Sequence, residues 1–434
     1  MKILHLCERY RPHVGGLELA VERLATQQAA VGHEVHLATL APRRTGLPEL
    51  STESGVIVHR LPHLPLGEYH PPAPEPIVVR ALRSLLRAAK PQYDVVHGHG
   101  LMGFSFLALK RLGLAELPFV WKIPDYGLIC PIRTRLYSDG SLCTHASTGR
   151  CLECAGRIYG RPKAAACMAG LALSRPLLKS VDAWVAPSGA VAAPHGLRDV
   201  NIIPPGVVLP ERLDEVAAPD FAPAEPYLMY AGRVSPAKGT DVLLAAYGQL
   251  SEPRPPLVIV AAAGGQLAGP VPPGVRLATD VPHGQVLALW AGAMIAVIPS
   301  IWGDPSPTVA GEAMAAAVPI VASRVGGLPE IVGESGILVD PGDADQLASA
   351  ISRLIREPTL RARLGETGRR MIAAHSIELL ASKVDLVYDK AIRSQGDRAS
   401  GSMGVSLAEH PVAGFGSSDR PGAADSCSRC GFTQ

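Results

Sequence analysis

Two short stretches in the C-terminal half carry the residue types of a site for anions and polyols. The first is Ala231-Gly232-Arg233-Val234-Ser235-Pro236-Ala237-Lys238-Gly239, which follows a strand pattern and precedes a helical one. The carboxyl end of a parallel strand is where α/β sheets bind ligands. Arg233 offers a planar fork of donors and Lys238 a compact charge, a pair that matches a diphosphate. Glycines in the turn let backbone amides approach a ligand closely. No Gly-Lys-Ser/Thr ends the stretch, so it is not a Walker loop. An exposed basic turn is the plain alternative.

The second stretch runs from Pro299 to Met314 and also reads strand, loop, helix. Asp304 and Glu312 are separated by seven residues across the loop that opens the helix. Free N–H groups at a helix start receive hydroxyls or phosphate, and carboxylates accept hydrogen bonds from the vicinal diols of a ribose or hexose. A solvated helix residue is the ordinary reading of Glu312. Against it, Glu312 lies in the apolar run Val309 to Val318, where an unpartnered carboxylate is costly.

A third group is Cys130, Cys143, Cys151 and Cys154, all within 25 residues, with the turn Asp139-Gly140 between them. Four thiolates are the right number for a structural zinc, and Cys151-x-x-Cys154 can chelate on one turn. An iron–sulfur cluster uses the same count. Only one pair has knuckle spacing, so reduced, unliganded thiols are the alternative. Cys427-x-x-Cys430 reads as incidental, and Cys7 and Cys167 as buried or unpaired.

The elements that must position these residues alternate strand and helix. Ile3 to Leu6 is a strand, Val14-Gly15-Gly16 a break, and Glu18 to Val31 a helix closed by Gly32. Strands follow at Val35 to Leu40 and Val56 to Leu61, then a Pro-rich loop, Pro62 to Pro76. Val78 to Lys90 is a basic amphipathic helix with Arg80, Arg83 and Arg87, read as core-facing with a cationic edge or as lying on an anionic membrane. Asp94 to His97 is a buried strand. Residues 125–170 interrupt the rhythm, which resumes at Ala183 to Ser188 and Val200 to Ile203. A junction rich in Pro, Ala and acidic residues spans Pro204 to Pro226. A second series begins at Tyr227 to Ala231 and runs through Thr240 to Leu250, Leu257 to Ala262, Val286 to Ala291, Ile295 to Pro299 and Thr308 to Ala317. Pro319 to Ala322 and Gly336 to Val339 are short strands, and Ala344 to Ile355, Leu360 to Ala374 and Ile377 to Ile392 are helices. Such alternation implies parallel sheets with helices on both faces. From about Ser394 the chain is Gly/Ser/Asp-rich without apolar period and is expected to be disordered.

The bulk figures agree. A length of 434 residues suits two domains. Hydrophobic residues make up 47%, enough for two buried sheets. The net charge of +2 gives no sign of a nucleic-acid partner. Residues 1–190 hold 22 Lys and Arg against 14 Asp and Glu, and the remainder 19 against 25. That asymmetry suits an anionic acceptor or membrane surface, and equally a solvated surface. The opening Met1-Lys2-Ile3-Leu4-His5-Leu6-Cys7 is too short in apolar residues for a signal peptide, and no window reaches a membrane span. The expectation is a cytoplasmic protein, peripheral at the inner face of the membrane at most, with reduced cysteines.

Taken in order, several of these marks resemble the retaining GT-B glycosyltransferases of family 4, over roughly residues 1–393. They are Gly15-Gly16-Leu17-Glu18 with Gly32-His33-Glu34-Val35, Asp94-Val95-Val96-His97-Gly98-His99, Pro205-Gly206-Val207, Gly232-Arg233 with Lys238-Gly239, the Asp304/Glu312 pair, and Gly326-Gly327-Leu328-Pro329-Glu330-Ile331. The resemblance implies two Rossmann-like domains facing across a cleft. Residues 1–204 would take the acceptor, with the cysteine insertion at about 125–170. Residues 205–375 would take the donor, followed by a helix at 376–393 and a tail at 394–434. The chain would transfer a hexose from a UDP- or GDP-sugar to a glycan, lipid-linked or small-molecule acceptor, with retention; a catalytically silent sugar-nucleotide binder or scaffold is the alternative.

The resemblance also implies the roles. Arg233 and Lys238 would neutralise the diphosphate, Glu312 would bind the ribose, and Asp304 with the amides of Ser306, Thr308 and Val309 would hold the donor sugar. Gly15 and Gly16 would bring N-domain backbone to the phosphates. Such enzymes need no obligatory catalytic metal, while similar cysteine insertions occur in a subset of the family. Two departures stand out: the family usually has Glu at Asp304, and many members have His-Asp where this chain reads Pro124-Asp125. The histidine's place by the reacting centre would fall to Asp125 or His99. For His97 and His99, hydrogen-bonded strand-end histidines are the even alternative.

Overall fold

The computed structural model describes residues 1–11, 15–41, 49–64, 71–137, 140–207, 217–262, 265–267 and 271–400. Met1–Gln395 form one body containing two sheets. The first sheet is built from β1 (Lys2–Leu6), β2 (Glu34–Leu40), β3 (Leu50–Glu53), β4 (Val56–Leu61), β5 (Val95–Gly98), β6 (Phe119–Lys122), β7 (Ala183–Ala186) and β8 (Val200–Ile202). Its order is β3-β4-β2-β1-β5-β6-β7-β8, parallel except for β3, which runs antiparallel to β4. The second sheet is built from β9 (Tyr227–Gly232), β10 (Leu257–Ala261), β11 (Val275–Thr279), β12 (Ala293–Ile298), β13 (Ile320–Ser323) and β14 (Gly336–Val339). Its order is β11-β10-β9-β12-β13-β14, parallel throughout.

Central strands of both sheets are buried on both faces, which is why they read as largely apolar runs rather than alternating ones. β1 is buried at all five positions, and Leu257–Ala261 likewise. Elements absent from the reading of the sequence include β3 and β6, of four residues each, and the helix Gly103–Arg111. The basic helix runs Pro76–Ala88, with Val78, Leu82 and Leu86 buried and Arg80 and Arg87 exposed. That is the core-facing arrangement with a cationic edge. The cysteine insertion folds around a helical pair, Thr148–Tyr159 and Arg161–Ser174.

The C-terminal helix departs from expectation in two ways. It spans Ile377–Ser400, so residues 394–400 are helical and not disordered as expected; the rest of the expected tail, with Cys427 and Cys430, lies outside the described residues, as does Asp139. The helix also crosses back to the first sheet, where Leu380, Val384 and Tyr388 pack with Ile3, Val95, Val120 and Val185. Val207 guides the crossing, its N–H donating to His375 O (3.0 Å) and its carbonyl accepting from Ile377 N (3.0 Å). No described helix is long and apolar enough to cross a membrane.

Candidate functional site

The turn after β9 and the loop after β12 are held against each other. Gly239 has φ +70°, a left-handed conformation, and a Cβ there would overlap the Pro299 carbonyl oxygen. Ile301 N and Trp302 N both donate to Ala237 O (2.9 and 3.2 Å). This close packing puts the Lys238 ammonium on the Asp304 carboxylate and 5.3 Å from the Trp302 ring centroid. Ser300 Oγ donates to the same carboxylate oxygen (3.3 Å). On its other side the loop is closed by Gly327 N, which donates to Asp304 O (2.7 Å). Arg233 lies exposed at the turn, its carbonyl accepting from Tyr230 OH (2.6 Å).

The helix Thr308–Ala315 starts where the loop ends, and no side chain caps it. The first N–H groups of such a helix have no intrahelical acceptor and point outward with the positive end of the dipole. Ser306, Thr308 and Val309 are all partly exposed. One turn in, Glu312 is only 4% exposed, and Arg23 Nη2 and His283 Nε2 both approach its Oε1 at 2.9 Å. Burial pushes this carboxyl up, but the hydrogen bonds and charges of His283 and Arg23 outweigh it and hold the group below the usual carboxylate range. Glu312 is therefore an anion at neutral pH, with its second oxygen still able to accept.

Arg23 belongs to the first helix, Gly16–Ala30, so the Glu312 contact joins the two sheets' domains. Other contacts join them at the same level. A Cβ at Gly16 would lie 3.7 Å from Thr308 Oγ1. Ser188 Oγ donates to Pro305 O (2.7 Å), and Glu330 accepts from the amides of Gly189 (2.9 Å) and Ala190 (2.8 Å). Burial and the nearby Asp304 charge, opposed by Arg135, push the Tyr126 phenol up to about 12. Gly15, Gly16, Lys238, Asp304, Thr308 and Glu312 thus converge where the carboxyl ends of β1, β9 and β12 open.

Two further candidates sit differently. Asp125 follows β6, but its carboxylate is taken up by Arg133 Nη2 (2.6 Å) and Gly127 N (2.7 Å). His99 is fully buried, with its Nε2 2.9 Å from His5 Nδ1. A sealed ring cannot touch a substrate in the cleft, so the structure removes His99 from the reacting centre and favours the hydrogen-bonded alternative.

In the insertion, Cys143 N donates to Arg135 O (2.8 Å), beside the antiparallel bridge between Leu136 and Leu142. Burial raises the Cys130 thiol while the amides of Arg135, Ile132 and Arg133, directed at its sulfur, oppose that. Cys151 is raised by burial and then by the proximity of Cys130, Cys143 and Cys154. Four sulfurs within one another's field, one of them cradled by amides, fit a tetrathiolate centre. They are not drawn together to ligand spacing; among the described residues, the His/Cys/Asp/Glu trio whose ligand atoms lie within 4.8 Å of one another is His5, His97 and His99.

Comparison with known proteins decides what this cleft belongs to. The family described as "Glycosyl transferase 4-like domain" matches residues 15–206, and "Glycosyl transferases group 1" matches residues 225–357. The chain belongs to the family 4 GT-B glycosyltransferases. The transferase is 26% identical to an MMP alpha-(1->4)-mannosyltransferase of Mycolicibacterium hassiacum, over 90% of this chain and 98% of the relative. It is 27% identical to a D-inositol 3-phosphate glycosyltransferase of Nocardiopsis dassonvillei, over 81% and 83%. Among solved structures, sucrose-phosphate synthase from Thermosynechococcus elongatus superposes with a TM-score of 0.70 at 22% identity, covering 91% of this chain and 99% of that one. Anabaena HepE in complex with UDP-glucose superposes with a TM-score of 0.63 at 18% identity, covering 90% and 99%. These establish the two-domain GT-B fold of the transferase.

Arg23 and His283 carry no signal in the sequence. Arg23 is 289 residues from Glu312, and nothing in its own helix marks it; His283 opens a helix, which by itself signals nothing.

Proposed function

We propose that the transferase moves a hexosyl group from a UDP- or GDP-sugar to a glycan, lipid-linked or small-molecule acceptor, with retention of configuration. The observation that carries this is the convergence of Lys238, Asp304, Glu312 and the uncapped helix start at Thr308 against Gly15 and Gly16. A relative that is a mannosyltransferase and a structural neighbour holding UDP-glucose support the same reading. Glu312 receives the ribose hydroxyls on its second oxygen. Asp304 and the amides of Ser306, Thr308 and Val309 hold the sugar. Arg233 and Lys238 face the diphosphate and stabilise the charge that develops as the C1–oxygen bond breaks. The acceptor hydroxyl attacks on the same face and its proton passes to the departing diphosphate oxygen, so positioning carries most of the rate. Asp125, held by Arg133, stands at the edge of this centre as a positioning residue. No catalytic metal is required in this scheme. Cys130, Cys143, Cys151 and Cys154 would hold a structural zinc or iron–sulfur cluster outside the cleft. The reaction would run on the cytoplasmic side, with the exposed Arg80 and Arg87 available to a membrane surface.

A second reading, a sugar-nucleotide binder without turnover, is favoured by one observation: Pro124 stands at the usual histidine and His99 is sealed away. Calorimetric titration with UDP-, GDP- and ADP-sugars tests both. Binding of one donor, weakened at least ~100-fold in Lys238→Ala and Glu312→Ala, is the expected result. Slow release of free sugar from the bound donor supports the transferase, and binding with none supports the silent binder. No binding by the folded wild type overturns the donor site.

A further inference from the structure

The parallel pairing of β1 with β5 places His5 and His97 side by side as register partners. His99 follows His97 by two residues and so points the same way, toward the face covered by Gly16–Ala30 and the C-terminal helix. All three rings are fully buried, with centroids 4.0 Å (His97–His99), 5.1 Å (His5–His99) and 5.5 Å (His5–His97) apart. One nitrogen from each lies within 4.8 Å of the others.

The neighbours set how these nitrogens are protonated. Gln28 Nε2 donates to Asp385 Oδ1 (2.7 Å), which turns Gln28 Oε1 toward His5 Nε2 (2.9 Å). His5 must carry its proton on Nε2, leaving the Nδ1 lone pair facing inward. On the far side, His97 Nδ1 meets Tyr388 OH at 2.6 Å, and His97 Nε2 has no hydrogen-bond partner. Imidazoles that bind metals carry this pattern, one nitrogen oriented by an outer acceptor and the other turned toward the ion. A buried ring nitrogen without a partner is otherwise a cost to the fold.

We propose that His5, His97 and His99 form a buried site for a first-row divalent cation of the zinc, nickel or copper type. Three neutral imidazoles suit these ions rather than magnesium or calcium, which prefer oxygen. Bonds of about 2.0–2.1 Å set the nitrogens about 3.4 Å from one another, so the His5 Nδ1–His99 Nε2 pair, at 2.9 Å, opens slightly as the ion enters. The His99 hydrogen bond to His5 is exchanged for two metal bonds, and the His99 proton moves from Nε2 to Nδ1, which has no other partner, so the ring stays neutral. Lys122, buried and lowered to about 8 by desolvation, bears on His97 and His99, and its charge is shed only above that pH. With no exposed ligand, the ion is structural: through Gln28, Asp385 and Tyr388 it fastens the C-terminal helix to the first sheet.

The test is titration of the metal-free full chain with Co²⁺, followed by absorption and by melting temperature. In the variant with Cys130, Cys143, Cys151 and Cys154 changed to Ser, one equivalent should bind with ligand-field bands but no thiolate charge-transfer band, and melting should rise. In the wild-type background, His97→Asn and His99→Gln should each lower the stoichiometry by one and leave any thiolate band intact. Should the fourfold variant not fold, the two histidine variants decide alone. Folded protein that takes up no cobalt, or the same amount with and without the histidines, overturns the site.

Discussion

At the scale of single residues, the donor side depends on pairs rather than on isolated charges. Glu312 is held anionic by Arg23 and His283 against the cost of burial, and Lys238 is tied to Asp304. Removing Arg23 leaves a buried carboxylate with His283 as its remaining partner, a change that costs about 3–5 kcal/mol where a buried pair is broken. Arg23→Met keeps most of the stem, so the loss reports the charge. It should lower the urea midpoint and weaken donor binding about tenfold, although Arg23 sits in the domain of the first sheet; unchanged stability and affinity would mean the contact is incidental. The need for a partner at Glu312 was legible from its apolar surroundings. Its identity was not, because Arg23 lies across a domain boundary. Asp125 and His99 show the opposite case. Both residue types invited a catalytic role, and their actual partners, Arg133 and His5, came from folding.

Elements position these residues through close backbone contacts. The turn at Gly239 fits against Pro299 only because it lacks a Cβ and adopts positive φ. Gly239→Ala should therefore destabilise by more than ~2 kcal/mol, from strain at the left-handed position and displacement of the loop, and should abolish donor binding by parting Lys238 from Asp304. Gly248→Ala, at a helix end with open space around it, should be neutral or slightly stabilising. Equal effects at the two glycines in calorimetric melting would refute the argument. The strand–turn–helix order around this contact was readable from periodicity, within a residue or two at most ends. The strand β3 was not, because Leu50–Glu53 is mostly polar and only half-buried, so no apolar run marks it.

Across the whole molecule, buried neutral histidines tie stability to pH. Burial lowers His5 and His59 to about 4, and His97 and His99 further below their ordinary value. Unfolded, they titrate near 6.5. The unfolded chain thus binds more protons between these limits, and stability is fully present above about 6.5 and lost as pH falls toward 4. His5 alone accounts for about 3 kcal/mol of that loss. Glu312, held low, adds a loss that begins near its ordinary value of 4.5 and deepens as pH falls through its folded value. Urea denaturation of the metal-free chain should show a midpoint falling steadily from pH 6.5 to 4; a flat profile would show that these rings are protonated in the fold. The amino-acid order by itself determined the two parallel sheets and the glycine turns, and singled out the residues proposed for the donor side, because strand runs, helical periods and turn residues are local properties. Only the tertiary structure decided that Arg23 meets Glu312, that the C-terminal helix returns to the first sheet, and that His5 lies beside His97. Those depend on strand register and on how the two sheets are set against each other, and no local pattern encodes either.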